Sequence, residues 1–169
     1  ILSVRQKYNI DLTNKSFVSE SSLKAKKNDL LKAVKFILKS AKPVIIAGAG
    51  IKYTSKHKEV IKLANYLNSP IVTAAGHGDA IPFDCRLNAG QMGPRGNPLA
   101  SKLVKEADVI IAIGTRLGFN STFFSYENLN KKAKIIQIEL EKKMLGKYFS
   151  IVVGIHADAA TATSQLLKE

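Results

Sequence analysis

The sequence is poor in cysteine, tryptophan and acid: one Cys, no Trp, and 13 Asp and Glu against 26 Lys and Arg. A lone Cys85 excludes an internal disulfide framework and any paired-cysteine zinc site, and it fits a reducing cytoplasm. No stretch approaches the roughly 18 apolar residues that a membrane-spanning helix needs. The opening Ile1-Leu2-Ser3-Val4-Arg5 has neither the charged head nor the apolar body of a secretory signal. It does not begin with Met, and it reads as though cut from something longer. The shortage of acids leaves a net charge of +13, of which residues 1–42 carry +7, from ten Lys/Arg against three acids. These lysines are scattered, with no arginine cluster and no nucleic-acid-binding motif. A solvated lysine face is therefore preferred to a nucleic-acid partner.

What the chain does have is a set of short Val/Ile runs separated by amphipathic segments. Val109-Ile110-Ile111-Ala112-Ile113 is uninterrupted and apolar, the pattern of a parallel strand covered on both faces. Similar runs stand at 43–47, 71–74, 134–139 and 151–155. A helix is predicted from an Asn28 cap, ending before Lys42-Pro43, with Leu30, Leu31, Val34, Ile37 and Leu38 as its apolar face. A second runs from a Ser55 cap to Asn68. A third starts at Asn97-Pro98 with Leu99, Leu103 and Val104 turned inward, and a last one follows an Asp158 cap. Strands alternating with helices predict an α/β, doubly wound parallel sheet, a Rossmann-like three-layer domain. Residues 1–27 read as the end of a preceding domain and an exposed linker, and 28–169 as the α/β domain itself. The glycine- and proline-rich stretch from Gly76 to Pro98 reads as one long loop.

In such a sheet, ligands lie at the carboxyl ends of the strands. Three candidates follow. Gly48-Ala49-Gly50 begins a glycine fingerprint after the first strand, but Tyr53 stands where a third glycine belongs, and a tight turn needs the same small residues. Gly114-Thr115-Arg116 ends the central strand. Glu139 ends the strand 134–139, where an acid would meet a ribose hydroxyl. His77 with Asp79, and Arg95, sit in the long loop; a hydrogen-bonded turn and a solvent-facing arginine are their alternatives. The aromatic segment Phe119, Phe123, Phe124 and Tyr126 could stack on a base or pack on a neighbouring domain or subunit.

Taken together, Ala41 through Gly50, Pro70-Ile71-Val72-Thr73, Ala107 through Arg116, Lys134 through Glu139, and Val153-Gly154-Ile155 with Asp158-Ala159 resemble the central domain of thiamine-diphosphate-dependent enzymes such as acetolactate synthase. The resemblance implies the DHS-like NAD/FAD-binding fold and a three-domain, oligomeric parent enzyme, dimer or tetramer. It also implies thiamine diphosphate and Mg²⁺ bound outside this chain by the two flanking domains. The catalytic residues would then lie elsewhere, and Gly78-Asp79 is followed by Ala80, so the diphosphate-binding Gly-Asp-Gly is not here. In that family the central domain holds FAD, ADP or nothing. The matching nucleotide-site positions are Gly48, Gly50, Gly114, Thr115, Arg116 and Glu139. The family's usual Asp after the fourth strand is replaced by Glu139, and its Gly-Lys-Gly by Gly76-His77-Gly78. His77-x-Asp79-Ala80-x-Pro82, Gly114-Thr115-Arg116-Leu117 and Lys143-Met144-Leu145-Gly146 resemble the sulfoacetaldehyde acetyltransferase branch, which cleaves sulfoacetaldehyde with phosphate to acetyl phosphate and sulfite. A stand-alone nucleotide-binding module is the alternative. Gly48-Ala49-Gly50-Ile51 also resembles the opening of NAD-dependent sirtuin deacylases, but one Cys cannot supply their zinc site.

Overall fold

The computed structural model describes residues 23–54 and 56–169. Among them the β-strands are β1 (Pro43–Ala47), β2 (Ile71–Thr73), β3 (Asn88–Gln91), β4 (Val109–Ile113), β5 (Lys134–Glu139) and β6 (Val153–His156). They form one all-parallel sheet in the order β3-β2-β1-β4-β5-β6. The helices are α1 (Lys27–Ile37), α2 (Ala49–Lys52), α3 (His57–Leu67), α4 (Pro98–Glu106), α5 (Phe119–Thr122) and α6 (Ala159–Leu166). This is the doubly wound α/β fold that the alternating pattern implies.

The apolar runs form the middle of the sheet because both of their faces are covered. β1 and β4 pair in register from Pro43↔Val109 to Ala47↔Ile113, and all of β4 is buried. Burying each isoleucine of such a strand contributes about 1.5–3 kcal/mol. One face packs Ile45, Ile71, Ile111, Ile136 and Ile155 against α1, α3 and α6. The other packs Val44, Ile46, Ile110, Ala112 and Ile135 against α4 and against Leu117, Leu129 and Phe149. Opposite α1, α3 and α6, then, the second face has one long helix and a segment of turns among the described residues.

Several elements differ from the sequence reading. β3 falls inside the stretch read as a single loop. It is an edge strand whose four residues are all half-buried, so it lacks the apolar alternation that marks a strand. Asn28 lies inside α1 and is not its cap; Lys26 holds that position without a side-chain hydrogen bond. The buried stripe of α1 is Leu30, Ala33 and Ile37, while Leu31 and Leu38 are exposed. They stand about 80–100° around the helix from Leu30, at the rim of the buried arc. α1 ends at Ile37, before Lys42-Pro43 as expected. On α4, Leu99 is exposed and Ala100 is buried in its place; the Asn97 cap forms as expected, its Oδ1 accepting from the Leu99 N–H at 2.9 Å. The last strand begins at Val153, two residues later than the apolar run suggests. Ser55 and the apolar run Ile1–Val4 lie outside the described residues. Of the segment read as exposed linker, residues 23–26 are tied down. The Ala25 N–H donates to Gln165 Oε1 at 2.8 Å, and the Asp158 N–H donates to the Leu23 carbonyl at 2.9 Å.

Candidate functional site

The chain leaves β1 towards β2 and β3 on one side, then returns to place β4, β5 and β6 on the other. Two neighbouring strands, β1 and β4, therefore send their following loops in opposite directions, and the sheet opens between them at its carboxyl end. A cavity of about 820 Å³ lies there, lined among others by Gly50, Tyr53, Lys56, Gly114, Arg116 and Glu139.

The three glycines of this region are accounted for by packing. A Cβ on Gly48 would come within 2.6 Å of the Gly114 carbonyl oxygen, and one on Gly50 within 2.8 Å of Gly114 Cα. Gly114 itself has φ +59, and a Cβ there would lie 2.7 Å from Gly50 Cα. Backbone bonds complete the lock: Gly48 N–H donates to Ile113 O at 3.0 Å, Gly50 N–H to Gly114 O at 3.0 Å, and Gly114 N–H to Ile138 O at 2.9 Å. The Gly48 and Gly50 N–H groups are thereby committed to the backbone after and at the end of β4. Gly50 and Gly114 border the cavity; Gly48 does not.

The remaining predicted residues are brought together on one rim. Thr115 is buried, and its carbonyl accepts from Gln137 Nε2 at 3.1 Å while its Oγ1 accepts from the Leu117 N–H at 3.3 Å. Arg116 is exposed and pairs through Nη2 with Glu141 Oε2 at 2.9 Å; Glu141 also meets Lys143 Nζ at 2.6 Å. The Lys143 hydrogen bond, with the nearby charges of Lys143, Arg116 and Lys147, holds the Glu141 carboxyl below its ordinary value. Glu139 is buried, and its Oε1 accepts from the Glu141 N–H at 3.1 Å.

The second wall comes from the segment after β2 and from α5. Ser121 Oγ accepts from the Ala75 N–H at 2.9 Å, which joins the two. His77 lines the cavity and stands edge-on to Tyr53, with ring centroids 6.3 Å apart. Its Nδ1 is buried without a hydrogen-bond partner. Burial first, and the Lys52 charge second, hold its pKa below 6.5, against the opposing pull of Asp79. Asp79 pairs with Lys52 Nζ at 3.1 Å. Arg95 is exposed and lies outside the cavity wall.

Three contributors escaped the sequence reading. Lys56 and Tyr53 lie just past the glycine turn, where nothing but position marks them. Gln137 is 2% exposed in the middle of an Ile strand; its Oε1 accepts from the Gly146 N–H at 2.9 Å, so one side chain ties the loop after β4 to the turn after β5. A polar residue amid Ile135, Ile136 and Ile138 was the available signal.

Fold and site define a doubly wound α/β domain with an open, polar-rimmed cavity at its topological switch point. The family model for the thiamine pyrophosphate enzyme central domain matches residues 30–166, and the chain belongs to that family. It is 40% identical to a sulfoacetaldehyde acetyltransferase of Alcaligenes xylosoxydans over 139 residues, 80% of this chain and 23% of the relative. With the sulfoacetaldehyde acetyltransferase of Castellaniella defragrans it shares 37% over 136 residues, 79% of this chain and 23% of that relative. With a probable acetolactate synthase large subunit of Methanocaldococcus jannaschii it shares 34% over 140 residues, 80% of this chain and 23% of that relative. The chain thus spans about a quarter of the length of these curated relatives.

Proposed function

We propose that this chain is the central domain of a larger sulfoacetaldehyde acetyltransferase-like enzyme and that it does not catalyse by itself. The observation carrying this reading is the 40% identity to such an enzyme across the span of one domain. Thiamine diphosphate supplies the carbanion chemistry when bound to the parent enzyme, and the residues here do not fit it. Among the described residues no three His, Cys, Asp or Glu side chains are grouped to hold a metal ion. Asp79, next to where a diphosphate-binding motif would continue, is committed to Lys52. The role of this chain is to hold the flanking domains and to present the cavity. The parent would be a cytoplasmic homo-oligomer, dimer or tetramer. Among the described residues no helix is long and apolar enough to cross a membrane. The test is to supply the full-length polypeptide with thiamine diphosphate, Mg²⁺, sulfoacetaldehyde and phosphate. Acetyl phosphate and sulfite are expected, with no turnover by the 169-residue chain. Turnover by the 169-residue chain, or acetolactate formation from pyruvate instead, overturns the reading.

A second reading, a nucleotide held in the cavity, is favoured by one observation. Lys56, Arg116, buried Glu139 and the Tyr53 ring all line the same space. Arg116 and Lys56 suit phosphates and Glu139 suits ribose hydroxyls, whereas the closed glycine lock removes the usual backbone cradle. ADP, FAD and NAD all carry the phosphates and the ribose that these groups suit. Calorimetric titration with ADP, FAD and NAD tests it; no heat with any of the three leaves the structural role alone.

A further inference from the structure

Between β4 and β5 the chain turns outward instead of laying a long helix over the sheet. Phe119, Phe123 and Phe124 are 53%, 45% and 47% exposed. Their rings form one ridge: Phe119 lies 5.0 Å from Phe123 and 5.6 Å from Phe124, and Phe124 stacks on Tyr148 at 4.4 Å. Exposed Leu or Phe residues scattered singly need no explanation, but four joined aromatic rings do. The ridge is also held there at a cost. Phe123 and Phe124 have φ +51 and +55, a conformation that bulky side chains rarely adopt. The fully buried Thr122 maintains it: its hydroxyl donates to the Leu117 carbonyl at 2.9 Å and accepts from the Phe124 N–H at 3.1 Å. Asn128 Nδ2 fixes the Thr122 carbonyl at 3.1 Å.

We infer that this ridge is the surface on which a flanking domain of the same polypeptide docks, closing the mouth of the cavity. The inference rests on the reading of the chain as one domain of a larger enzyme. Three observations select this occupant. The chain spans 23% of its relatives, so most of the parent's surface lies outside it. The ridge is continuous with the cavity, since Phe119, Asn120 and Ser121 belong to its wall. A second copy of this chain is disfavoured by charge. Lys147 lies over the Tyr148 ring at 5.3 Å, Lys142 is exposed in the preceding turn, and the chain as a whole carries +13. Face-to-face pairing would set these lysines against each other, whereas an apolar surface rimmed with Asp and Glu would match them. Aromatic residues at the centre with charge at the margin is also the usual anatomy of a specific interface.

Hydroxyl-radical footprinting read by mass spectrometry tests this, applied to the 169-residue chain and to the full-length polypeptide against a free-phenylalanine dosimeter. In the full-length polypeptide the modification rates of Phe119, Phe123 and Phe124 are expected to fall about fivefold or more at every protein concentration, as for residues entering an interface core. Equal rates in the two forms overturn the inference. Protection that already develops in the 169-residue chain as its concentration rises assigns the ridge to a second copy and overturns it as well. Assaying the same full-length sample for turnover separates the two readings. An active enzyme with an unprotected ridge refutes the docking surface alone, and a protected ridge without turnover refutes the activity alone.

Discussion

The two ends of the sheet are built on opposite principles. At the amino end a single carboxylate closes the structure: Asp108, just before β4, accepts from the Ser40 hydroxyl, from the Ala41 N–H at 2.7 Å and from the Lys42 N–H at 3.1 Å. It thereby fastens the turn leading into β1 to the start of β4. At the carboxyl end the same two strands are joined by the absence of side chains, through Gly48, Gly50 and Gly114. One end is held by charge-assisted hydrogen bonds; the other is held by backbone contact and stays open beside the larger cavity. A doubly wound sheet can therefore secure its centre twice and still leave one end free for a ligand or a partner.

The largest test of this contrast is at the glycine lock. Gly114→Ala must place a Cβ 2.7 Å from Gly50 Cα in a left-handed conformation, and it is expected to cost at least ~3 kcal/mol or to prevent folding, read by denaturant unfolding. Next comes Asp108→Ala, which leaves the Ala41 and Lys42 N–H groups without their acceptor. A loss of about 2 kcal/mol is expected, with the cavity end unaffected. Were the double substitution to depart from the sum of the two singles by more than about 0.5 kcal/mol, the two ends would not be independent.

Acidification should release the ends in sequence. His77 is held below 6.5, so the unfolded chain takes up that proton first, and stability begins to fall once the pH drops below 6.5. For Asp108, burial pushes the pKa up, but the bonds from Ser40, Ala41 and Lys42 outweigh it and hold the carboxyl below 3.8. Its contribution is therefore complete above 3.8 and is lost as the pH falls through the lower folded value. Melting curves across pH should show two steps, the first removed by His77→Gln and the second by Asp108→Asn. A single step that ignores both substitutions would contradict the assignment. The smallest effect on stability belongs to Arg116→Gln. The Arg116–Glu141 pair is exposed, so the melting temperature should not move measurably. If the cavity holds ADP, however, the same change should weaken its binding about tenfold by calorimetry.

Much of this fold was legible along the chain. The Val/Ile runs located the five strands β1, β2, β4, β5 and β6, and Asn97-Pro98 and Asp158 located two helix starts, because each signal is local. β3 was not legible: an edge strand is half-exposed and takes its hydrogen bonds from β2, which its own residues do not advertise. The site was legible in part. Gly50, Gly114, Thr115, Arg116 and Glu139 do converge on one cavity. Why the glycines are glycine was not, since the atoms they avoid are more than sixty residues away. The exposed side of α1 shows the same limit: Leu31 and Leu38 obey helical periodicity loosely enough to read as core, and only the sheet decides which part of the arc is covered.

By itself, then, the sequence determined the class of fold, the central strands and the family, because periodicity, caps and family motifs are carried by neighbouring residues. The tertiary structure alone decided what the glycines touch, that Asp108 closes one end, that Gln137 joins two loops, and that exposed Phe119, Phe123 and Phe124 join half-buried Tyr148 in one ridge. Each of these depends on which residues distant in the chain are brought within a few ångströms. No local pattern encodes that distance.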